Sequence, residues 1–135
     1  MTNGSEEYFQ ALGGTFGFEV EPGADGTCFI AAEEAPGVIV RANDAAARME
    51  LSAVVAAELP EGAAYSDMLD LLDLSLGPLF DAPGIGRDPE SGAIVLYALF
   101  PFPTTTPADF AEAVPQFLDR ARGLADRLAS FESRE

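Results

Sequence analysis

The stretch Ala93–Phe102 (AIVLYALFPF) constrains this chain more than any other, because it reads as a strand that is apolar on both faces. Side chains alternate along a strand, so Ile94, Leu96, Ala98 and Phe100 fall on one side and Val95, Tyr97 and Leu99 on the other. An antiparallel strand with one solvated face would alternate apolar with polar residues instead. Ala93–Phe102 is therefore either central to a sheet buried on both sides or part of an interface. Asp88-Pro89-Glu90-Ser91-Gly92 supplies the turn that leads into it.

Four further strands are expected upstream. Phe16-Gly17-Phe18-Glu19-Val20-Glu21 alternates with period two and reads as a half-exposed strand. Pro22 to Gly26 is turn chemistry. Thr27–Ala32 (TCFIAA) and Val38–Ala42 (VIVRA) follow, separated by a Pro36-Gly37 turn. After Asn43-Asp44, Met49 to Val55 alternates again, although its alanines make a helix a fair rival. Short connections between these strands imply an antiparallel meander.

Three helices complete the pattern. The first runs from Ser5 to Leu12, with Ser5 as cap, Glu6 and Glu7 at the positive end of the dipole, and Gly13-Gly14 as the stop. The second runs from about Ser66 to a stop at Gly77-Pro78. Its Met68, Leu69, Leu71, Leu72 and Leu76 cover nearly half the circumference, wider than the stripe a surface helix needs, so a partner subunit is the natural cover. The last helix has Thr106 as N-cap, Pro107 in its first turn and Asp109 three residues after the cap. Phe110, Val114, Phe117, Leu118, Ala121, Leu124, Ala125, Leu128 and Phe131 then recur at helical spacing, and Pro115 predicts a kink or a short preceding turn.

The 135 residues fit a single α+β domain spanning 1–135, and a 48% hydrophobic content excludes whole-chain disorder. No apolar run is long enough to span a bilayer, and the acidic N-terminus is unlike a secretory signal, which points to the cytoplasm. With 23 acidic residues against seven arginines and no lysine, the net charge of −16 repels nucleic acid and anionic membranes. That acidity keeps the protein soluble, offsets a sticky apolar surface or attracts a basic partner.

Catalysis has little to work with. There is no histidine and no lysine, and the one cysteine, Cys28, sits in an apolar strand as an inert core thiol. Asp67, Asp70 and Asp73 recur at i, i+3, i+6; they read as a solvated helix face, with weak Ca²⁺ or Mg²⁺ binding as the sharper alternative. Gly84-Ile85-Gly86 is a glycine pair without a dinucleotide fingerprint. No catalytic, cofactor or metal site is assigned, and the chain is read as a non-enzyme. Apolar surface without assigned work remains, and such surface on soluble proteins marks interaction sites.

Three stretches carry a resemblance to the class I type III secretion chaperones, the Tir-chaperone-like family: GTCFIAAEEAPGVIVRAND…MELSAVV, ELPEGAAYSDMLDLLDLSLGPLF, and GIGRDPESGAIVLYALFPF with the terminal helix. The resemblance implies the order α-β-β-β-α-β-β-α, with a sheet of about five antiparallel strands and three helices. It also implies a homodimer that binds the extended N-terminal segment of a secreted effector without ATP, keeping it soluble and export-competent. The family's dimer contacts match Leu69, Leu72, Leu76, Tyr97 and Leu99. Its partner-binding patches match Phe16, Phe18, Val20, Phe29 and Val40. Two other readings stand beside this one: a chaperone-fold adaptor or regulator that binds a folded partner, and a small-ligand-binding domain.

Overall fold

The computed structural model describes residues 4–17, 20, 22–31, 36–58, 65–80 and 82–132. In chain order the elements are α1 (Gly4–Phe16), β1 (Thr27–Ile30), β2 (Val38–Asn43), β3 (Arg48–Ala56), α2 (Tyr65–Leu74), β4 (Gly84–Arg87), β5 (Ile94–Pro101) and α3 (Pro107–Glu132). Short 3-10 turns at Gly77–Phe80 and Phe102–Thr104 follow α2 and β5. The strands form one antiparallel sheet in the order β1-β2-β3-β5-β4. This is the α-β-β-β-α-β-β-α order that the resemblance implied.

Two assignments differ from the sequence reading. Gly13-Gly14 does not stop α1, which continues to Phe16 and ends at Gly17, where φ is 75° and the N–H donates to the Gly13 carbonyl at 2.8 Å. Two interior glycines cost a helix about 2 kcal/mol, and docking of its apolar face outweighs that. Tyr8, Phe9 and Leu12 are buried, and Phe16 packs against the core. The expected strand Phe16–Glu21 is therefore lost: Phe16 is helical, Gly17 caps the helix and Val20 is not in a strand. Phe18, Glu19 and Glu21 lie outside the described residues. The strand that takes its place in the count is β4, built on the glycine pair at 84 and 86, which had been read as a weak motif.

The remaining elements hold close to expectation. β1 ends at Ile30, and Ala32 lies outside the described residues; β2 gains Asn43. β3 is a strand and not the rival helix, held by β2 on one side and β5 on the other, with a bulge between Val54 and Ala56. α3 starts as expected: Asp109 N–H donates to Thr106 Oγ1 at 3.1 Å and Phe110 N–H to the Thr106 carbonyl at 3.0 Å. The helix runs unbroken through Pro115 for 26 residues, about 39 Å, without a separate preceding turn at that point.

All helix packing falls on one side of the sheet. α3 lies across β3, and α1 rests on α3. Beneath them, the inner face of the sheet contributes Ile30, Val38, Val40, Met49, Leu51, Ala53, Val55, Leu96 and Ala98, all buried. Phe110 is the hinge of this core. Its ring meets Phe100 edge-on at 5.3 Å between centroids and Tyr8 at 5.8 Å. The Tyr8 hydroxyl donates to the Thr105 carbonyl, tying α1 to the start of α3. Among the described residues, no helix is long and apolar enough to cross a membrane.

Two stability predictions follow from this packing. Phe110→Ala removes a fully buried ring and is expected to cost about 3–5 kcal/mol in urea unfolding. A Cβ on Gly84 would stand 2.6 Å from Pro78 Cδ and 3.0 Å from Tyr97 Cζ, whereas one on Gly86 would meet nothing within 4 Å. Gly84→Ala is expected to cost about 1–3 kcal/mol by the same measurement, and Gly86→Ala to change stability by less than about 0.5 kcal/mol.

Candidate functional site

Among the described residues, two apolar surfaces are left uncovered, and both follow from helices that cover only one side. The first is the outer side of α2 and the 3-10 turn after it. Leu71 turns into the core and Met68 packs against it. The far side carries Tyr65, Leu69, Leu72, Leu76 and Leu79, all exposed, with Leu72 at 63% and Leu79 at 78% of full accessibility, whereas Leu74 faces α3 beside Leu96 and Leu124. α2 lies along β4 at the sheet's end and is pinned to α3 by an Arg127–Asp70 ion pair of 2.6 Å. Pro78 in the following turn packs over Gly84 next to the Tyr97 ring, so the surface continues from helix to sheet.

The second surface is the outer face of the sheet. Strand register aligns Phe29, Ile39, Ser52, Tyr97 and Gly84 in one row across all five strands, with Val54 and Val95 in the next. Phe29 is 64% exposed, and Ile39, Val54 and Leu99 are exposed too. Leu99 stands opposite Glu50, which stands opposite Arg41. Arg41 donates to Glu50 at 3.4 Å, Arg48 at 2.8 Å and Asn43 at 3.2 Å, so one carboxylate gathers two guanidinium groups and an amide. Partial burial alone would push the Glu50 carboxyl up. The hydrogen bonds from Arg48 and Asn43, with the charges of Arg48 and Arg41, outweigh it and hold the group below the usual glutamate range.

The residues singled out from sequence are distributed unevenly over these surfaces. Leu69, Leu72 and Leu76 lie on the exposed side of α2; Leu99 is exposed and Tyr97 half-buried on the outer sheet face. Phe29 lies on that same face. Val40 does not: it belongs to the opposite face, beneath the helices, and is fully buried, so it is a core residue and not a surface contact. Phe16 and Val20 pack partly against the core as well, and Phe18 lies outside the described residues. Tyr65, Leu79, Ile39 and Val54 were missed. Ile39 and Val54 sit in apolar runs where the exposed position is decided by strand register.

Candidate chemistry is sparse. Asp67 is buried, which corrects its reading as part of a solvated face; only Asp70 and Asp73 are exposed. No three His, Cys, Asp or Glu side chains among the described residues are grouped so as to hold a metal ion. Cys28 is half-buried, and desolvation raises its pKa, which keeps it a thiol. A groove of about 390 Å³ opens between β5 and α3, lined by Leu99, Phe100, Pro101, Phe117 and Arg120 among others. β4 pairs with β5 only as far as Tyr97, so β5 beyond that point borders this groove without a β4 partner.

The described residues thus form a small α+β fold with helices on one face of its sheet and exposed apolar side chains on the other face and on α2. The chain belongs to the Tir chaperone protein (CesT) family, whose profile matches residues 9–125. A comparison with curated proteins finds no significant match. Among solved structures, a chain of the HopA1–SchA chaperone–effector complex is similar with a TM-score of 0.72 at 18% identity, covering 93% of this chain and 99% of that chain. A chain of the ExsC–ExsE complex has a TM-score of 0.72 at 20% identity, covering 95% and 97%. A chain of the complex between the Yersinia pestis type III secretion chaperone SycH and a fragment of YscM2 has a TM-score of 0.67 at 18% identity, covering 90% and 99%. These likenesses establish the fold.

The Glu50 cluster makes a pH prediction. Because the folded carboxyl titrates below its unfolded value, its stabilisation is present above the unfolded pKa and is lost as pH falls through the folded one. Glu50→Gln is expected to lower stability at pH 7 by about 0.5–1 kcal/mol, and to flatten the loss of stability on acidification. Urea unfolding between pH 7 and the acid limit measures both.

Proposed function

We propose that the protein is a type III secretion chaperone, a homodimer that holds the extended N-terminal segment of a secreted effector and keeps it soluble and export-competent in the cytoplasm. It performs no chemistry of its own; it works by covering apolar surface with apolar surface. The observation that carries this reading is the pair of uncovered faces on a member of the Tir chaperone family. The similar solved structures support it: one is a chaperone–effector complex and another is a type III secretion chaperone in complex with a fragment of a second protein.

The two faces take different roles. The outer side of α2, with Leu69, Leu72, Leu76 and Leu79, is assigned to the second subunit, together with Tyr97 and Leu99 at its border with the sheet. Four exposed leucines on one side of α2 and the turn after it are matched by a like surface in an isologous contact. Phe29 and the rest of the outer sheet face, away from α2, are assigned to the effector segment. Phe29, Ile39 and Val54, exposed on this face, offer an extended segment lying across it apolar side chains to pack on.

Sedimentation velocity tests the first assignment: a dimer is expected for the unaltered chain. Leu72→Asp or Leu79→Asp, which would bury an unpaired carboxylate, is expected to weaken the dimer by at least about 3 kcal/mol, on the order of 100-fold. A monodisperse monomer for the unaltered chain contradicts it. Co-expression with neighbouring open reading frames, followed by pull-down and limited proteolysis, tests the second. The expected result is one partner whose N-terminal segment is protease-resistant only in the complex. A partner that binds solely through a folded domain contradicts it in favour of an adaptor role.

A further inference from the structure

The outer sheet face is out of keeping with the rest of the molecule in its charge. The chain carries −16 overall, yet the only charged side chains that strand alternation places on this face, among the described residues, are Arg41, Arg48 and Glu50. Counted over the described strand residues alone, this face carries one excess positive charge. A single arginine would neutralise Glu50; two leave an excess. Arg41 spends Nη1 and Arg48 spends Nε on Glu50, while each guanidinium has five N–H donors. The side chains of Arg41 and Arg48 remain 56% and 36% accessible, whereas that of Glu50 is only 17% accessible. Glu50 acts as an internal anchor that orients the two guanidinium groups, and their spare donors meet solvent beside exposed Ile39 and Leu99.

We propose that Arg41 and Arg48 are specificity residues that select, in the segment lying on the outer sheet face, an aspartate or glutamate flanked by apolar side chains. This rests on the reading that the protein holds an extended partner segment, and it adds which segment. Ile39 and Arg41 are two residues apart on the same face of β2, about 6.8 Å. An extended partner running along that strand repeats the same spacing, so an apolar residue over Ile39 puts the side chain two positions along over Arg41. A carboxylate there accepts two-pronged hydrogen bonds from guanidinium, the geometry arginine fits best. The preference runs against the long-range field, because a strongly acidic molecule attracts basic segments. Local and global electrostatics therefore predict opposite selections, which makes the proposal sharp.

The test is selection of a display library of random 30-residue segments on the immobilised full-length protein at physiological salt. The expected result is a set of apolar segments that share an acidic residue at a fixed offset from an apolar one. A synthetic peptide of one such segment is expected to lose about 10-fold in affinity when that acid becomes glutamine, about 1.4 kcal/mol. Arg41→Gln with Arg48→Gln is expected to reduce that difference below about 2-fold while apolar segments are still selected. Glu50→Gln keeps an acceptor oxygen for the arginines but frees their charge, and it is expected to widen the difference; it serves as the readout should the double variant unfold in a thermal melt. Segments selected without a shared acid, or peptides bound equally with and without it, overturn the proposal and leave the chaperone reading standing. A selection that enriches no segment at all overturns both.

Discussion

The packing of α3 on the inner face of the sheet decides most of what this protein can be. It is the longest helix among the described residues, it crosses the sheet over β3, and its buried residues from Phe110 to Leu128 take up the inward side chains of the strands. α1 docks on α3 and so falls on the same side. α2, at ten residues, reaches only the end of the sheet beside β4. One face of a five-stranded sheet is thus covered, and the other stays partly open: among the described residues Phe29, Ile39, Val54 and Leu99 are exposed on it, while Pro78 packs over Gly84 and Tyr97 is half-buried. Exposed apolar side chains on that face and on α2 are the surface that association would remove from water.

That division explains how β5 can be apolar on both sides. Its inward residues Ile94, Leu96 and Ala98 are buried beneath the helices, while Val95, Tyr97 and Leu99 look the other way. The strand is central in order, between β3 and β4, and yet among the described residues only its inner face is fully covered, Val95 and Tyr97 being half-buried and Leu99 exposed. Of the two explanations open from sequence, burial on both sides or an interface, the fold provides the setting for the second.

Much of this was legible in the sequence because it is written in local periodicity and punctuation. The cap at Thr106, the span of α3, the start of α2, the strand β3 and the turn before β5 all show in residues close together in the chain; α2 ends at Leu74, before the Gly77-Pro78 stop read for it. What was not legible depended on distant contacts. Gly13-Gly14 looked like a helix stop, and only the docking of Tyr8, Phe9 and Leu12 against α3 carries the helix past it. The alternation Phe16 to Glu21 looked like a strand, but its first residue belongs to α1. Gly84 to Arg87 carries too little side chain to show as a strand, and it is one because β5 offers an edge. Val40 and Ile39 are neighbours of equal hydrophobicity, so only sheet register sends one to the core and the other to the surface. The Arg41–Glu50–Arg48 cluster joins two strands and was invisible in either alone.

The central claim is that two apolar faces of one subunit are closed by two different partners. Hydroxyl-radical footprinting with mass spectrometry tests it most directly, because it reads side-chain exposure residue by residue in solution. The account predicts that Tyr65, Leu72 and Leu79 are protected in the purified protein, by a second copy, while Phe29, Ile39 and Val54 react freely and become protected only when a partner segment is bound. Full reactivity of Tyr65, Leu72 and Leu79 in the purified protein, or unchanged reactivity of Phe29, Ile39 and Val54 in the complex, would contradict it.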